Sequence, residues 1–445
     1  MGFKIVSLLL TELDASQPRC LDEIAQFYIS CVKDGSFNGS KATDLLPKIL
    51  CLLNNHESVP KGGGYIKGSE LKGHLINSLC SCRWAPSVAL HMAPLFKDIP
   101  LSPDELKFLI QKILRLFPEL EITDQPAVVF QLLLLSGKGN KRLVLEGLSK
   151  FYTDLDDANR GRSIMVDSED LMSDAVDLRT LRQIEGTVIL HITQAVNQDQ
   201  ELGTELLKYF KNLQQCNPKK VIGPFNLCLM LSISQLHFFQ DKVFEFVKST
   251  ILKCLLDEDK CIKSLWAREC YPQSIKAEQL VLEAVEHSTY DWDHVIQGLV
   301  KLGFGLMDSY GPKLVFGAMP ESLPPEGMKN PSQLACQLGR RLLLKTFKGH
   351  EVVRSEILDQ IFSHVIMRST APVTHYLDLL SDTVHSAPQL LLESSGKVQE
   401  ICLKLAELPP KSAEGLLTSI QPLLKLSPLL KDTIIIVLRK AMFAR

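Results

Sequence analysis

The chain has 445 residues, of which 45% are hydrophobic and 22% charged, and its formal net charge is −2. These values are typical of an ordered protein and exclude a chain that is disordered throughout. The near-neutral charge also excludes a general electrostatic attraction to nucleic acid or to a membrane, so any such binding must come from local clusters. A chain of this length exceeds one compact core and predicts two to four units or one elongated array.

The cysteines and the apolar runs indicate the cellular compartment of the protein. The 12 cysteines are scattered among apolar residues, which favours reduced thiols in the cytosol or nucleus over the disulfide framework of a small secreted domain. The apolar run at 5–10 is too short for a signal peptide, and no run reaches the roughly 20 residues of a membrane span. The sequence therefore predicts a soluble intracellular protein.

The segment 20–151 has the apolar spacing of successive short helices. In its clearest start signal, Ser102 can cap the first turn, Pro103 suits the first helical position, and Glu105 can bond back to the cap. Further helices are predicted at 21–33, 41–54, 69–80, 126–136 and 141–152, with a Gly-rich turn at 61–68.

An acidic stretch with little apolar periodicity interrupts these helices at 154–177. Helical spacing then resumes and continues to 443, broken by a Pro/Gly-rich loop at 311–331. Because no segment shows the period-two alternation of a strand, the predicted fold class is all-α: an elongated, curved α-solenoid of antiparallel helix pairs, like HEAT or armadillo repeats. The predicted domains are a first α-solenoid unit at 1–160, an acidic linker at 161–177, a helical domain at 178–270 and a second α-solenoid unit at 275–445.

The segment 290–313 is predicted as an interior helix, because apolar residues recur at helical spacing along it. Asp291 or Asp293 can cap its start. Gly311 is expected to end it in the left-handed conformation, just before Pro312. Further glycines, each costing roughly 1 kcal/mol against alanine in a helix, predict a neighbouring helix packed close to the backbone. These glycines are Gly298, Gly303 and Gly305.

The residues that could carry catalysis or hold a cofactor do not form a complete motif. The lysine in the glycine turn at 137–139 lacks the rest of a phosphate-binding loop. A zinc-protease helix beginning at His350 would need a histidine where Arg354 stands. Cys80 and Cys82 lack the second pair of a structural zinc site, which favours buried thiols. We therefore predict no enzyme activity, no cofactor, no metal site and no small-molecule substrate.

Local clusters of lysine and arginine are the remaining candidates for function. Phosphate contacts need only positive charge in register, and a solenoid can bring clusters distant in sequence onto one face. Such clusters are more often ordinary solvated surface, and few aromatic residues accompany them, which favours recognition of the nucleic-acid backbone over base stacking. The candidate DNA-binding residues are Lys138, Lys141, Arg142, Lys208, Lys211, Lys219, Lys220, Arg340, Arg341 and Lys345.

Several longer segments resemble, in the same order, segments of one known family. They are LINSLCSCRW (75–84), LFKDIPLSPDEL (95–106), LVLEGL (143–148), IEGTVILHI (184–192), WDHVIQGLVKLGFGLMDSYGPK (292–313), THYLDLLS (374–381) and LRKAMFA (438–444). Together they make nearly the whole chain similar to an N-terminal portion of the Fanconi anaemia group I family. The resemblance implies a first solenoid, a helical domain and the start of a second solenoid.

The resemblance also implies a function, that of a non-enzymatic DNA-binding scaffold. It implies pairing with the group D-two paralogue, clamping of double-stranded and branched DNA in interstrand-crosslink repair, modification by the Fanconi core ubiquitin ligase, and DNA polymerase binding. It implies a location on chromatin in the nucleus and also in the cytoplasm. The family's ubiquitin-acceptor lysine would follow Arg445, so no acceptor is expected within this chain, and the helices that precede Met1 in the family are expected to be missing.

Two alternatives stay open at the level of sequence. One is a HEAT-like protein-interaction scaffold without DNA binding, which is distinguished by whether the basic clusters converge on one face. The other is an unrecognised helical enzyme, which would require a pocket holding titratable groups of perturbed pKa.

Overall fold

The computed structural model describes most of the chain between residues 45 and 443. The described ranges are 45–61, 63–84, 86–165, 178–263, 276–287, 292–311, 331–367, 374–403, 405, 408 and 410–443, together with Glu23, Gln26, Phe27 and Ser30. Most of the helix predicted at 21–33, most of the acidic linker, most of the predicted loop at 311–331 and Arg445 lie outside the described residues.

Helices account for most of the described residues, which confirms the all-α prediction. The first eight are α1 (Leu45–Asn54), α2 (Gly68–Ser81), α3 (Pro86–Leu95), α4 (Pro103–Leu116), α5 (Gln125–Ser136), α6 (Lys141–Met165), α7 (Leu178–Gln198) and α8 (Gln200–Cys216). The rest are α9 (Pro218–Val221), α10 (Pro224–Ile233), α11 (Gln240–Lys263), α12 (Ala277–His287), α13 (Asp293–Tyr310), α14 (Pro331–Gly349), α15 (Arg354–Met367), α16 (Thr374–Ser386), α17 (Pro388–Glu393), α18 (Ser395–Leu403), α19 (Pro410–Leu426) and α20 (Pro428–Phe443). Among the described residues, no helix is long and apolar enough to cross a bilayer.

Two compact units divide the chain, residues 1–210 and residues 211–445. In the first unit the helices form two rows, because each helix packs on the next but one. In one row α2 packs on α4 and α4 on α6, while in the other α3 packs on α5 and α5 on α7. The contacts bury apolar side chains that an isolated helix pair would leave in water, among them Leu109, Ile113, Val129 and Ile189.

The second unit repeats this arrangement. Helices α12, α14, α16 and α19 contact one another in succession, and α15, α18 and α20 do the same beside them. Phe304 of α13 stacks with His364 of α15 and Tyr376 of α16. The ring centroids of His364 and Tyr376 lie 4.4 Å apart, and that of Phe304 lies 6.2 Å from each. The packing in both units is that of an α-solenoid, as predicted.

The start of α4 confirms the predicted capping box. The Ser102 hydroxyl accepts a bond from the Glu105 amide at 3.3 Å, and the Glu105 carboxylate accepts one from the Ser102 amide at 2.7 Å. The same carboxylate lies 3.3 Å from the ammonium of Lys72 on α2, and both side chains are nearly buried. Glu105 therefore starts α4 and also joins it to the neighbouring helix of its row.

One short hairpin interrupts the helices of the first unit. Strands β1 (Val59–Lys61) and β2 (Gly64–Ile66) pair antiparallel, with Val59 opposite Ile66. Gly63 in the connecting turn has a φ of 85°, a conformation that glycine adopts at little cost. The Gly-rich segment that the sequence indicates as a long turn is therefore partly a hairpin.

Helix α6 runs to Met165 and so includes the first residues of the predicted acidic linker. The acidic stretch at 154–177, which breaks the apolar pattern, also supplies an ion pair inside the first unit. Asp156 is buried and lies 3.1 Å from Arg182 of α7, which also pairs with buried Glu185 at 2.6 Å. An ion pair between helices can replace an apolar contact, and periodicity alone does not detect it.

Helix α13 is the predicted interior helix, and its glycines lie against neighbouring helices as expected. A Cβ added at Gly303 would lie 2.5 Å from a side-chain carbon of Leu343 on α14, and one at Gly298 would lie 2.9 Å from Leu231 on α10. Gly339 of α14 faces Gly303. A Cβ added at Gly339 would lie 2.7 Å from the Gly303 carbonyl oxygen. The close approach of two backbones is confirmed.

Both ends of α13 differ from the prediction. Trp292 occupies the N-cap position without a side-chain cap, so Asp293 is the first helical residue instead of the cap. Gly311 has a φ of −59°, which is right-handed, and its amide continues the helical bonding to Met307. The glycine is needed there for space, since a Cβ would lie 2.6 Å from the Met307 carbonyl oxygen.

Candidate nucleic-acid interface

The first basic cluster lies at the turn between α5 and α6, which Gly139 and Asn140 close with positive φ values of 142° and 57°. Much of the Lys138 side chain is exposed, but its Nζ donates to the carbonyls of Phe96 and Ile99 at 3.1 and 2.8 Å. Burial lowers the pKa of Lys138, because the charged form loses hydration at this end. Lys138 therefore ties the turn to the end of α3.

The other two members of this cluster are held by carboxylates. Lys141 is 15% exposed, and its Nζ pairs with Asp199 at 2.7 Å and also with Glu201. Burial opposes the charge of Lys141, but the hydrogen bonds that Lys141 donates to these two carboxylates outweigh this effect and raise the pKa. Arg142 pairs with Glu146 at 2.6 Å, one turn further along α6.

The second cluster has the least compensated charge. Lys208 belongs to the first unit and pairs with Glu205 at 2.7 Å on α8. In the second unit Lys211 is exposed near the end of α8, and Lys220 is half-buried on α9. Neither of these two has a carboxylate within ion-pair distance in the part of the chain that the structure describes. Lys219, which is half-buried beside Lys220, has a polar or electrostatic partner.

The third cluster lies on α14, and each of its members is in an ion pair. Arg340 lies 3.1 Å from Asp378 on α16 and also pairs with a second α16 carboxylate, Asp382. The other two members pair with carboxylates of α12, Arg341 with Glu278 and Lys345 with Glu286. The cluster therefore links neighbouring helices of the solenoid. The more exposed pairs, those of Arg341 and Lys345, contribute about 0–1 kcal/mol each.

These pairings bear on which candidates can bind DNA. A cation held by a carboxylate is a weaker ligand for phosphate, because the pair must open and the carboxylate repels the incoming anion. DNA binding by the candidate residues stays a prediction. The lack of a carboxylate partner among the described residues favours Lys211 and Lys220 over the other candidates.

A concave site that the sequence analysis missed lies between α2 and α4. Its volume is about 680 Å³, within the usual range of ligand pockets. The side chains around it include an exposed aromatic ring, three cations, a carboxylate and a side-chain amide: Phe108, Arg83, Lys112, Arg115, Glu119 and Asn77. The balance of charge in this cavity is positive.

Contacts around the cavity distinguish its cations. Lys112 is held in place, since its Nζ donates to the Cys82 carbonyl at 2.6 Å and lies 5.7 Å from the centre of the Trp84 ring. Arg83 and Arg115 are exposed and have no polar partner among the described residues. The two guanidinium groups are therefore free to meet an anion.

The thiol of Cys80 lines the cavity and stays protonated near neutral pH. Burial raises the pKa of Cys80 to about 12, and the positive charge of Lys112 only partly opposes this effect. A neutral thiol adds no negative charge to the cavity.

Only one weak signal for this site is present in the sequence. Arg83 lies far from Lys112 and Arg115 along the chain, so no local basic cluster marks it. Phe108, Lys112 and Arg115 do recur at helical spacing, which places them on one side of α4. That they face Arg83 follows only from the packing of α4 on α2.

The rows of stacked helices in each unit define the class of this protein, an α-solenoid built from helical repeats. Models of one known family match successive parts of the chain. Models described as FANCI solenoid 1, FANCI helical domain 1 and FANCI solenoid 2 match residues 1–197, 201–287 and 295–445.

Curated relatives agree with the family models. The chain is 42% identical over 443 residues to the Fanconi anemia group I protein of Gallus gallus and 38% identical over 442 residues to its homolog of Mus musculus. In both cases the match covers 99% of this chain and 33% of the relative, so the chain spans about a third of the length of these relatives. The chain belongs to the FANCI family and is a protein of the Fanconi anaemia pathway, which confirms the resemblance.

A comparison with solved structures adds no argument. A chain of a homology model of the full-length AP-3 complex in an intermediate open conformation matches 94% of this chain and 60% of its own length, with 9% identity. Its TM-score of 0.24 is too low to support a statement about fold or function.

Proposed function

We propose that this chain is a non-enzymatic scaffold that binds double-stranded and branched DNA in the nucleus and pairs with the group D-two paralogue in interstrand-crosslink repair. The observation that carries the proposal is the series of FANCI-family matches in order along the chain, from solenoid 1 to solenoid 2. The α-solenoid architecture supports it, because stacked helices offer long surfaces to partners.

Within this proposal, Lys211 and Lys220 make the main phosphate contacts, and Lys219 lies beside Lys220 on α9. Lys211 is exposed, and neither Lys211 nor Lys220 has a carboxylate partner among the described residues. Lysines without a base-reading motif bind the phosphate backbone, so binding should be nearly independent of DNA sequence.

The test is duplex binding by the Lys211→Ala, Lys219→Ala, Lys220→Ala triple variant, measured by fluorescence anisotropy over a series of salt concentrations. We expect weaker binding to all sequences and a slope of log affinity against log salt that is flatter by roughly 0.9 for each lysine that touches a phosphate. The matched control is the Arg340→Ala, Arg341→Ala, Lys345→Ala variant, which removes as many cations from α14. It should change binding less, because carboxylates already hold its cations.

A larger effect of the α14 variant would show that its ion pairs open on DNA and that our choice of lysines is wrong. Unchanged binding in both variants would remove the basis for DNA contact at these clusters.

The second candidate function is a protein-interaction scaffold without DNA affinity. The ion pairs that occupy most members of the basic clusters favour it. Co-purification with the group D-two paralogue, together with no measurable binding of duplex DNA at low salt, would establish this alternative.

A further inference from the structure

The cavity between α2 and α4 joins two features that the basic clusters do not combine, free cations and an exposed aromatic ring. Phe108 is 53% exposed, whereas its neighbours Leu109 and Ile110 on α4 are fully buried. The ring therefore contributes little to the core and presents an apolar surface at the cavity.

The charge of the cavity is suited to a ligand that carries phosphate. Arg83 and Arg115 are exposed guanidinium groups without a partner among the described residues, and guanidinium forms paired hydrogen bonds with phosphate oxygens. Lys112 is held nearby and adds to the positive potential, while Glu119 offsets only part of it.

Other side chains at the cavity distinguish the class of ligand. A phosphorylated peptide needs donors for its phosphate, which an arginine cluster alone supplies. This cavity also offers Phe108 as a stacking surface, and the Asn77 and Gln111 amides, which both donate and accept hydrogen bonds. A nucleobase uses all of these groups, because it has a π face and a polar edge.

We propose that this cavity binds an unpaired nucleotide of a DNA strand, with the base stacked on Phe108 and the phosphates on Arg83 and Arg115. A base inside a duplex is stacked on both faces and cannot enter a cavity, so the nucleotide comes from a single-stranded segment. Branched DNA supplies such nucleotides at its junction. The inference rests on the proposed function for the presence of a DNA strand, while the side chains around the cavity indicate the unpaired base.

The experiment uses the full chain and two labelled probes of equal length, a short oligothymidylate and an oligonucleotide of abasic deoxyribose phosphates. Anisotropy gives the affinity for each probe. The variants are Phe108→Ala and the Arg83→Ala, Arg115→Ala pair. The controls are Phe238→Ala, which removes another exposed phenylalanine, and Lys253→Ala, which removes an exposed cation elsewhere. Circular dichroism checks that each variant is folded.

We expect Phe108→Ala to weaken oligothymidylate binding by roughly 5-fold or more, the effect of losing one stacked base, and to leave binding of the abasic probe unchanged. The arginine pair should weaken binding of both probes and flatten the salt slope by roughly 0.7 for each phosphate that the variant no longer neutralises. The controls should change neither probe.

Equal effects of Phe108→Ala on both probes, no effect on either, or no binding of oligothymidylate would overturn the proposal. Arginine-dependent binding of a phosphoserine peptide without binding of oligothymidylate would assign the cavity to a phosphopeptide instead.

Binding of a blunt DNA duplex, measured with the same variants, separates this inference from the proposed function. Loss of duplex binding only in the Lys211, Lys219, Lys220 variant, with oligothymidylate binding intact, shows two independent sites. Oligothymidylate binding without any duplex binding would contradict the proposed phosphate contacts and leave this inference standing.

Discussion

Lys138 and Arg83 are both cations on exposed positions, but their surroundings give them different chemistry. The ammonium of Lys138 is bonded to two backbone carbonyls, so releasing it to a ligand would leave those acceptors without their donor. Arg83 has no such partner among the described residues and can bind an anion without breaking a bond. The surroundings of a surface cation therefore decide whether it stabilises the fold or can bind a ligand.

Cysteine reactivity tests the electrostatics of the cavity wall. Because only the thiolate is alkylated, the raised pKa of Cys80, about 12, should make it react far more slowly near neutral pH than exposed Cys216. The rate for Cys80 should rise about tenfold for each unit of pH, since the thiolate fraction grows in that proportion below the pKa. Mass spectrometry after timed treatment with iodoacetamide gives both rates. Equal rates for the two thiols near neutral pH would contradict the raised pKa of Cys80.

Among the elements, the contact of α13 with α14 shows how small residues set the distance between helices. Gly303 and Gly339 face each other, and neither position has room for a Cβ. Glycine is a poor helix former, so its cost in these helices is offset by the packing that the close approach permits. In the second unit, Gly303 of α13 is buried at this contact.

Gly339→Ala tests that contact. We expect the free energy of unfolding to fall by roughly 1–3 kcal/mol, because the added methyl meets the Gly303 carbonyl at 2.7 Å and the backbones must move apart. The control is Gly396→Ala in α18, where no atom lies within 4 Å of the added methyl. This control should be neutral or stabilising by up to about 1 kcal/mol, as alanine favours the helix. Urea denaturation measures both, and an unchanged or more stable Gly339→Ala protein would show that the helices are not in close contact.

For the whole molecule, the family model and the compact unit place the end of the first unit at different residues. The FANCI solenoid 1 model ends at residue 197, whereas the compact unit extends to Phe210, about two thirds of the way along α8. Tyr209 donates from its hydroxyl to Ser149 of α6 at 3.2 Å, and Lys141 of α6 pairs with Glu201. These contacts join the start of α8 to the first unit. The domain boundaries predicted from sequence, with a helical domain at 178–270, stay a prediction.

Two fragments test this boundary. A fragment of residues 1–210 should unfold at a higher temperature than one of residues 1–197, because it retains the buried side chains of Leu202, Leu206 and Phe210. Thermal unfolding followed by circular dichroism at 222 nm, the usual helix signal, gives both midpoints. Equal midpoints would show that α8 contributes nothing to the first unit and belongs with the helices after it.

The sequence by itself determined the fold class, the capping box of α4 and the close packing around α13. Each depends on local chemistry or on periodicity, which a single chain displays without a partner. Even the family could be recognised from collinear segments. The hairpin after α1 was missed, because its strands are too short to show alternation.

Only the tertiary structure decided which basic residues are free. Arg340 and Lys345 look like an exposed cluster in sequence, yet their carboxylate partners come from other helices. The cavity beside Phe108 likewise needs Arg83 and Arg115 to meet across two packed helices. The physical reason is the same in both cases: electrostatic interactions depend on distance in space, and distance along the chain does not predict it.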